Sequence, residues 1–177
     1  MNKLIGFEPR PFMTATGVRL LMRRARPDDV VILADLIYQL SARSRYLRFL
    51  RPLPLTIERA WSEARRMARQ PPERHITLVA TLEGGVFEEA VAAAELARDP
   101  ARPEVGEFAL LVRDDYQAAG IGSALGERLV ELARGMGVTQ LHSDMLTENR
   151  AMRGLLRRLG EARITHADGY SHAVLSL

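Results

Sequence analysis

The chain has 177 residues, of which 47% are hydrophobic and 27% charged, and its formal net charge is +3. This length predicts a single domain that can bury a sizeable core. The absence of cysteine excludes disulfides, thiolate metal sites and cysteine nucleophiles, and no apolar run approaches the roughly 18 residues of a membrane span.

The N-terminal residues contain no apolar core of the kind found in signal peptides, and the lack of cysteine is typical of a reducing compartment. We therefore expect a cytoplasmic protein with no membrane partner. Positive charge comes almost entirely from arginine, because Lys3 is the only lysine. The arginine clusters at 43–51 and 65–69 form no long basic tract, so we expect no nucleic-acid partner.

The first half of the chain predicts a strand, two helices and a second strand. The strand is expected over 18–26 and the first helix over 28–40, where apolar residues recur at helical spacing. Thr56 is a candidate N-cap for a helix that ends at Gln70. A β-branched run over 75–82 predicts the next strand.

Residues 88–98 (EEAVAAAELAR) carry conflicting signals. Alanine and glutamate favour a helix by intrinsic propensity, whereas the neighbouring strands favour a hairpin partner. On local evidence alone, the segment is predicted to be a helix.

The second half predicts a strand over 107–112, a helix over 121–135 and a strand over 139–145. Thr147 is the expected N-cap of a further helix that ends at Leu159. Asp168-Gly169 lies between two strand-like runs and indicates a hairpin turn.

The stretch VRDDYQAAGIGSAL (112–125) joins an apolar strand to a helix through Gly120 and Gly122. A helix N-terminus with free N–H groups is an anion site, and glycines let the backbone approach the anion closely. No Gly-Lys-Ser/Thr follows, which excludes the P-loop. Leu125, at a position that needs a small residue, argues against dinucleotide binding.

Residues 117–122 (QAAGIG) match the Gln/Arg-x-x-Gly-x-Gly/Ala pattern of the acetyl-CoA loop in GNAT acetyltransferases. Residues 149–160 (NRAMRGLLRRLG) resemble the fourth-helix motif of that family. From about Val18 to Gly160 the chain is similar to the GNAT domain of bacterial protein lysine acetyltransferases.

This resemblance implies an α/β (α+β) fold whose mixed, mostly antiparallel central sheet has six or seven strands and is flanked by helices. It implies an N-terminal arm at residues 1–17 and a single GNAT domain at residues 18–177. It also implies that 88–98 is a strand, against the local prediction.

The resemblance further implies that acetyl-CoA is the co-substrate. Its diphosphate would be held by backbone amides, and its pantetheine arm would pair with the main chain of the preceding strand. Asn149 would contact the pantetheine or cap its own helix, and both alternatives stay open. The implied cofactor-binding residues are Leu110, Leu111, Val112, Gln117, Ala118, Ala119, Gly120, Ile121, Gly122, Ser123, Asn149 and Met152.

The implied chemistry is attack of an amine on a thioester. A lysine amine is neutral in only about one molecule in 2,500 at pH 7, so a general base is needed. The resemblance assigns this role to Glu107, and we expect partial burial to raise its pKa. A backbone N–H near Leu111 or Val112, where the family's strand bulges, would polarise the carbonyl. Leu156 occupies the position at which many family members carry a tyrosine as general acid.

We therefore predict an N-acetyltransferase that moves the acetyl group of acetyl-CoA to a primary amine, most favourably a protein lysine, by direct attack in a ternary complex. A small-amine acetyltransferase and a non-catalytic acyl-CoA sensor are the alternatives, and a homodimer stays open. No metal is expected, because the histidines lack helical i, i+4 spacing and cysteine partners. His166 and His172 are predicted to be surface residues beside the hairpin turn.

Overall fold

The computed structural model describes residues 8–52, 54, 56–71 and 73–177. In chain order, its elements are β1 (Arg10–Met13), β2 (Arg19–Arg24), α1 (Val30–Gln39), α2 (Ala42–Phe49), α3 (Ile57–Ala68), β3 (His75–Leu82), β4 (Ala90–Arg98), β5 (Val105–Val112), α4 (Ile121–Gly135), β6 (Gln140–Leu146), α5 (Arg150–Leu159), β7 (Ala162–Ala167) and β8 (Tyr170–Ser176). A short 3₁₀ turn, Asp114–Tyr116, lies between β5 and α4. No helix in the described part of the chain is both long and apolar enough to cross a bilayer.

All of these strands join one sheet in the order β1-β2-β3-β4-β5-β6-β8-β7. Only β5 and β6 are parallel, and every other neighbouring pair is antiparallel. The predicted mixed, mostly antiparallel sheet with flanking helices is therefore confirmed, with eight strands where six or seven were expected. The edge strand β1 comes from residues 10–13, which fall within the predicted arm. Its Pro11 is compatible with an edge position, where an N–H donor is not required.

The segment that gave conflicting signals forms the central strand β4, so the local prediction of a helix over 88–98 is wrong. Residues 90–96 are buried between β3 and β5. Ala92 and Ala94 face the core beneath α4, whereas Ala90 and Ala93 face the core beneath α1. Small side chains let helices pack closely on both faces of the sheet, and this packing outweighs alanine's helix propensity.

The helices divide between the two faces of the sheet. α1 and α3 cover one face over β3 to β5, and α4 and α5 cover the other. The predicted hairpin is present as β7 and β8, with Asp168 and Gly169 in left-handed conformations (φ 49° and 81°) that a two-residue turn requires. Thr56 caps α3 as predicted, because its Oγ1 accepts from the N–H of Arg59 at 3.3 Å.

A buried carboxylate joins α2 and α3 to the sheet. Glu95 on β4 is 4% exposed and contacts Arg48 of α2, Arg66 of α3 and His75 of β3. Burial alone would raise the pKa of Glu95, but the hydrogen bond to His75 and the charges of Arg48 and Arg66 lower it to about 2. A buried charge is tolerated here because the Glu95 carboxylate has three partners that compensate for its loss of water.

We expect Glu95→Gln to be less stable than the wild type by about 3 kcal/mol at pH 7, from the pKa difference between the folded and unfolded states. Because the folded-state pKa is lowered, this stabilisation is present above the unfolded-state pKa near 4.5 and is lost as the pH falls towards 2. Urea unfolding at pH 7 and pH 3 measures the difference. The prediction would be contradicted if the difference in free energy of unfolding between the wild type and Glu95→Gln were the same at pH 7 and pH 3.

Candidate active site

The two parallel strands of the sheet pair only briefly and then separate. Their register runs from Val105–Gln140 to Glu107–His142, although β5 continues to Val112 and β6 to Leu146. A cleft of about 310 Å³ opens where they part. Side chains from β5, β6, α2 and the first turn of α5 line this cleft.

The hydrogen bonds of β5 determine which of its main-chain groups face the cleft. Arg113 N–H donates to the Val91 carbonyl at 2.9 Å, and the register between β4 and β5 is unbroken over residues 106–112 of β5. Main-chain groups alternate in direction along an antiparallel pair, so odd-numbered residues of β5 bond to β4. The N–H and C=O groups of Leu110 and Val112 therefore point to the open edge beside β6.

The bulge expected near Leu111 is absent. The register shift in this part of the sheet lies instead between β3 and β4, at Ala80 and Thr81. By the same alternation, the main chain of Leu111 is directed towards β4, and its side chain is buried in the core beneath α1 and α3. Leu110 and Val112 thus form the cleft edge, and Leu111 supports them from behind.

The glycine-containing turn presents a row of backbone donors. The N–H groups of residues 118–123, which we call the amide loop, donate to no other described residue. Ala118 and Gly120 adopt left-handed conformations (φ 59° and 86°), and both are exposed. Left-handed residues in a turn direct successive N–H groups into one concavity that suits an anion. Ala119 and Ile121 are buried and fix the loop to the core.

Neighbouring segments hold the amide loop in place. Ala15 N–H donates to the Ala119 carbonyl at 3.1 Å, which connects the segment after β1 to the loop. A Cβ on Gly122 would lie 3.1 Å from Leu110 Cδ2, so α4 and β5 approach each other closely here. Arg158 of α5 donates to Ser123 Oγ at 3.0 Å and places a positive charge beside the first turn of α4.

The side chain of Gln117 closes the turn from within. Its Nε2 donates to the Val112 carbonyl and to Ser44 Oγ, each at 3.1 Å. Asp114 of the 3₁₀ turn accepts from the hydroxyls of Ser41 and Ser44, both at 2.7 Å. These contacts fix the start of α2 against the amide loop, so the Gln117 side chain here has a structural role.

Glu107 lies in the cleft wall at the last paired position of β5 and β6. Its side chain is exposed and makes no hydrogen bond or ion pair with any other residue that the structure describes. The partial burial expected from the sequence is therefore absent. Glu107 is free to meet a charged group that enters the cleft from solvent.

The first turn of α5 supplies Asn149 and Met152 to the cleft. Asn149 Oδ1 accepts from the Met152 N–H at 3.1 Å, so Asn149 caps α5, and the prediction that Thr147 is the cap is wrong. Leu156 is 1% exposed and packs in the core. Among the described residues that line the cleft there is no tyrosine.

Sequence reasoning missed several residues that line the cleft, among them His142, Asp144 and His172. His172 Nδ1 lies 2.7 Å from Asp144 Oδ1, and the rings of His142 and His172 meet edge to face with centroids 5.1 Å apart. His172 is partly exposed beside the hairpin, and it also lines the cleft. The sequence does show that His142 and Asp144 lie two positions apart and so share one face of β6. Only the strand order shows that this face borders the cleft.

Burial and the charges around His142 together set the pKa of its imidazole. Burial, the neighbouring His172 and Arg102 lower the pKa of His142, and Asp144 and Glu107 oppose them only in part. Its imidazole is therefore neutral at neutral pH and able to accept a proton.

The architecture that surrounds this cleft also occurs in a solved structure, the GNAT domain of S. lividans PAT. The two structures superpose with a TM-score of 0.82 over 96% of this chain and 97% of that one, at 24% sequence identity. The fold is therefore that of the GNAT domains.

Sequence relatives give the same assignment. Residues 19–161 match the family model for the acetyltransferase (GNAT) domain, and the chain belongs to this family. It is 32% identical over 152 residues to acetyltransferase Pat of Mycolicibacterium smegmatis, covering 86% of this chain but only 44% of the relative. It is 30% identical to acetyltransferase PA5475 of Pseudomonas aeruginosa, covering 81% of this chain and 75% of the relative.

Proposed function

We propose that the protein transfers the acetyl group of acetyl-CoA to a primary amine, with a protein lysine as the preferred acceptor, in a ternary complex. The observation that carries the proposal is the position of the amide loop beside an unpaired edge of β5. A diphosphate needs convergent N–H donors, and a pantetheine arm needs free main-chain groups on a strand edge. The two features are adjacent in this chain.

The residues at the site suit both the diphosphate and the pantetheine arm of coenzyme A. The amide loop and the positive end of the α4 dipole favour the charge of the diphosphate, and Arg158 adds a cation beside them. The main chain of Leu110 and the N–H of Val112 offer partners to the amides of the pantetheine arm, whereas the Val112 carbonyl already accepts from Gln117. Bound acetyl-CoA would supply an activated acetyl thioester at the part of the cleft that Glu107 borders.

The chain's own groups then have separate roles. Glu107 meets the incoming ammonium group and removes its proton, which frees the electron pair of the nitrogen. The Leu110 and Val112 N–H groups, at the cleft edge, are the donors for the charge that develops on the carbonyl oxygen. With Leu156 buried in the core, no tyrosine protonates the departing sulfur. A thiol has a pKa of about 8.5, so the thiolate leaves as an anion and takes its proton from water.

The missing tyrosine also favours a second candidate, a domain that binds acyl-CoA and regulates a partner without turnover. A third, acetylation of a small amine, uses the same chemistry and differs only in the acceptor. A cytoplasmic location belongs to the proposal and is supported by the absence of cysteine.

Release of free thiol from acetyl-CoA across a panel of small amines, lysine peptides and lysine-rich proteins distinguishes these candidates. We expect release that saturates with a lysine-bearing protein and that small amines support poorly. Release with small amines alone would favour the third candidate. Tight binding of acetyl-CoA with no release for any acceptor would contradict acetyl transfer and favour the sensor.

A further inference from the structure

Four titratable side chains share one face of the sheet at the cleft. Glu107 and His142 are partners in the parallel register, and Asp144 lies two residues after His142 on β6. His172 is the partner of Asp144 in the antiparallel register between β6 and β8. Side chains at paired positions, and at positions two apart on one strand, point to the same face. The sheet therefore places all four beside one another.

A solvent-exposed carboxylate is a weak proton acceptor for this reaction. Carboxylates as a class are far weaker bases than amines, so proton transfer from a lysine ammonium group to a carboxylate alone is strongly uphill. A free imidazole accepts a proton roughly a hundredfold more favourably than a free carboxylate does. The lowered pKa of His142 reduces this advantage and keeps its ring unprotonated at neutral pH. A neutral histidine beside Glu107 would lower the cost of removing the proton from the amine.

We propose that His142 receives the proton that Glu107 takes from the acceptor ammonium, and that the Asp144–His172 pair holds the His142 ring in place. The inference rests on the proposed acetyl transfer and adds a second proton acceptor to it. The side-chain contacts that support it are the 2.7 Å bond from His172 to Asp144 and the edge-to-face packing of the two rings.

The proton balance is simple. An N–H bond of the ammonium breaks as a carboxyl O–H forms on Glu107, and that O–H then breaks as an imidazole N–H forms on His142. The amine is left neutral and able to attack the thioester. The resulting imidazolium returns its proton to water, because the His142 side chain is only partly buried at the cleft.

The charges around His142 are compatible with this role. Groups of both signs line the cleft around it, from β5, β6, β8, α2 and the β4–β5 connection: Glu107, Asp144, His172, Arg48, Arg102 and Asp99. Burial, His172 and Arg102 lower the pKa of His142 by more than Asp144 and Glu107 raise it, so the ring is unprotonated at the start of each cycle. Below that pKa, the imidazolium can no longer accept a proton, and activity should fall.

The test compares His142→Gln with the wild type, using acetyl-CoA and the best lysine-bearing acceptor from the thiol-release panel. We expect kcat at pH 7 to fall about tenfold or more, since a positioned acid or base contributes about 10²–10⁴ in rate. The acidic limb of the pH profile of kcat should disappear. His166→Gln is the matched control, because His166 lies on β7 outside the cleft lining. Acetyl-CoA binding by calorimetry should be the same in all three proteins, which establishes that the variants are folded.

A second measurement follows His142 directly by NMR titration. Because Glu107 raises the pKa of His142, Glu107→Gln should lower its titration midpoint, whereas Glu104→Gln should not. The inference is overturned if the wild type acetylates its acceptor while His142→Gln keeps both its kcat within twofold and its acidic limb. It is equally overturned if the midpoint is unchanged in Glu107→Gln. A wild type that acetylates nothing would instead contradict the proposed function itself.

Discussion

Glu107→Gln is expected to lower kcat for acetyl transfer by about 10²–10⁴, the range that a positioned general base contributes. The substitution keeps the size of the side chain and removes its negative charge and its ability to take a proton. The KM for acetyl-CoA should stay unchanged, because Glu107 lies apart from the amide loop. Steady-state kinetics at pH 7 with a lysine-bearing acceptor measure both constants.

The pH dependence of this deficit separates a base from a residue that only supports the fold. Near pH 10 the acceptor amine loses its proton unaided, so the gap between Glu107→Gln and the wild type should narrow. Glu104→Gln is the matched control, since Glu104 is exposed, three residues earlier in the chain and outside the cleft lining. A Glu107→Gln enzyme with kcat within twofold of the wild type would exclude Glu107 as the base.

Gly120→Ala is expected to weaken acetyl-CoA binding about tenfold or more. Gly120 has a φ of 86°, and an alanine held there costs about 1–2 kcal/mol, so the loop either stays strained or turns its N–H groups away from the concavity. The expected loss comes from the backbone conformation and not from a steric clash, because the nearest atom to an added Cβ is Phe12 Cζ at 3.7 Å. Isothermal titration calorimetry measures the change in Kd.

Gly137 gives a control with the same backbone strain in a different place. It has a φ of 79°, lies just beyond the C-terminal end of α4, and has no atom within 4 Å of an added Cβ. Gly137→Ala should therefore lose a similar free energy of unfolding while its affinity for acetyl-CoA stays at the wild-type value. If the two variants bind acetyl-CoA equally well, the conformation of Gly120 has no part in binding.

The sequence predicted the parts of the site that depend on contiguous residues. The pattern at 117–122 indicated the amide loop, because glycine spacing and a following helix are local features. The hairpin at Asp168-Gly169 was predicted for the same reason, since a two-residue turn depends on the residues within it.

Features that depend on neighbours distant in the chain could not be predicted in the same way. The residue propensities of β4 predict a helix, and the segment is a strand because it is buried between β3 and β5. His142 and His172 are 30 positions apart and meet because β6 pairs with β8. The exposure of Glu107 likewise follows from where β5 and β6 part, which no local pattern shows.

The proposed function depends first on binding of the diphosphate by the amide loop, and two parallel calorimetric titrations of the wild-type protein test it. One uses acetyl-CoA, and the other uses acetyl-pantetheine, which carries the same thioester and pantetheine arm but lacks the diphosphate and the adenosine nucleotide attached to it. We expect saturable one-to-one binding of acetyl-CoA and an affinity for acetyl-pantetheine weaker by about a hundredfold or more, since two or more hydrogen bonds to a charged group are lost. Equal affinities, or no saturation with acetyl-CoA on folded protein, would contradict the assignment of residues 118–123 as the diphosphate site.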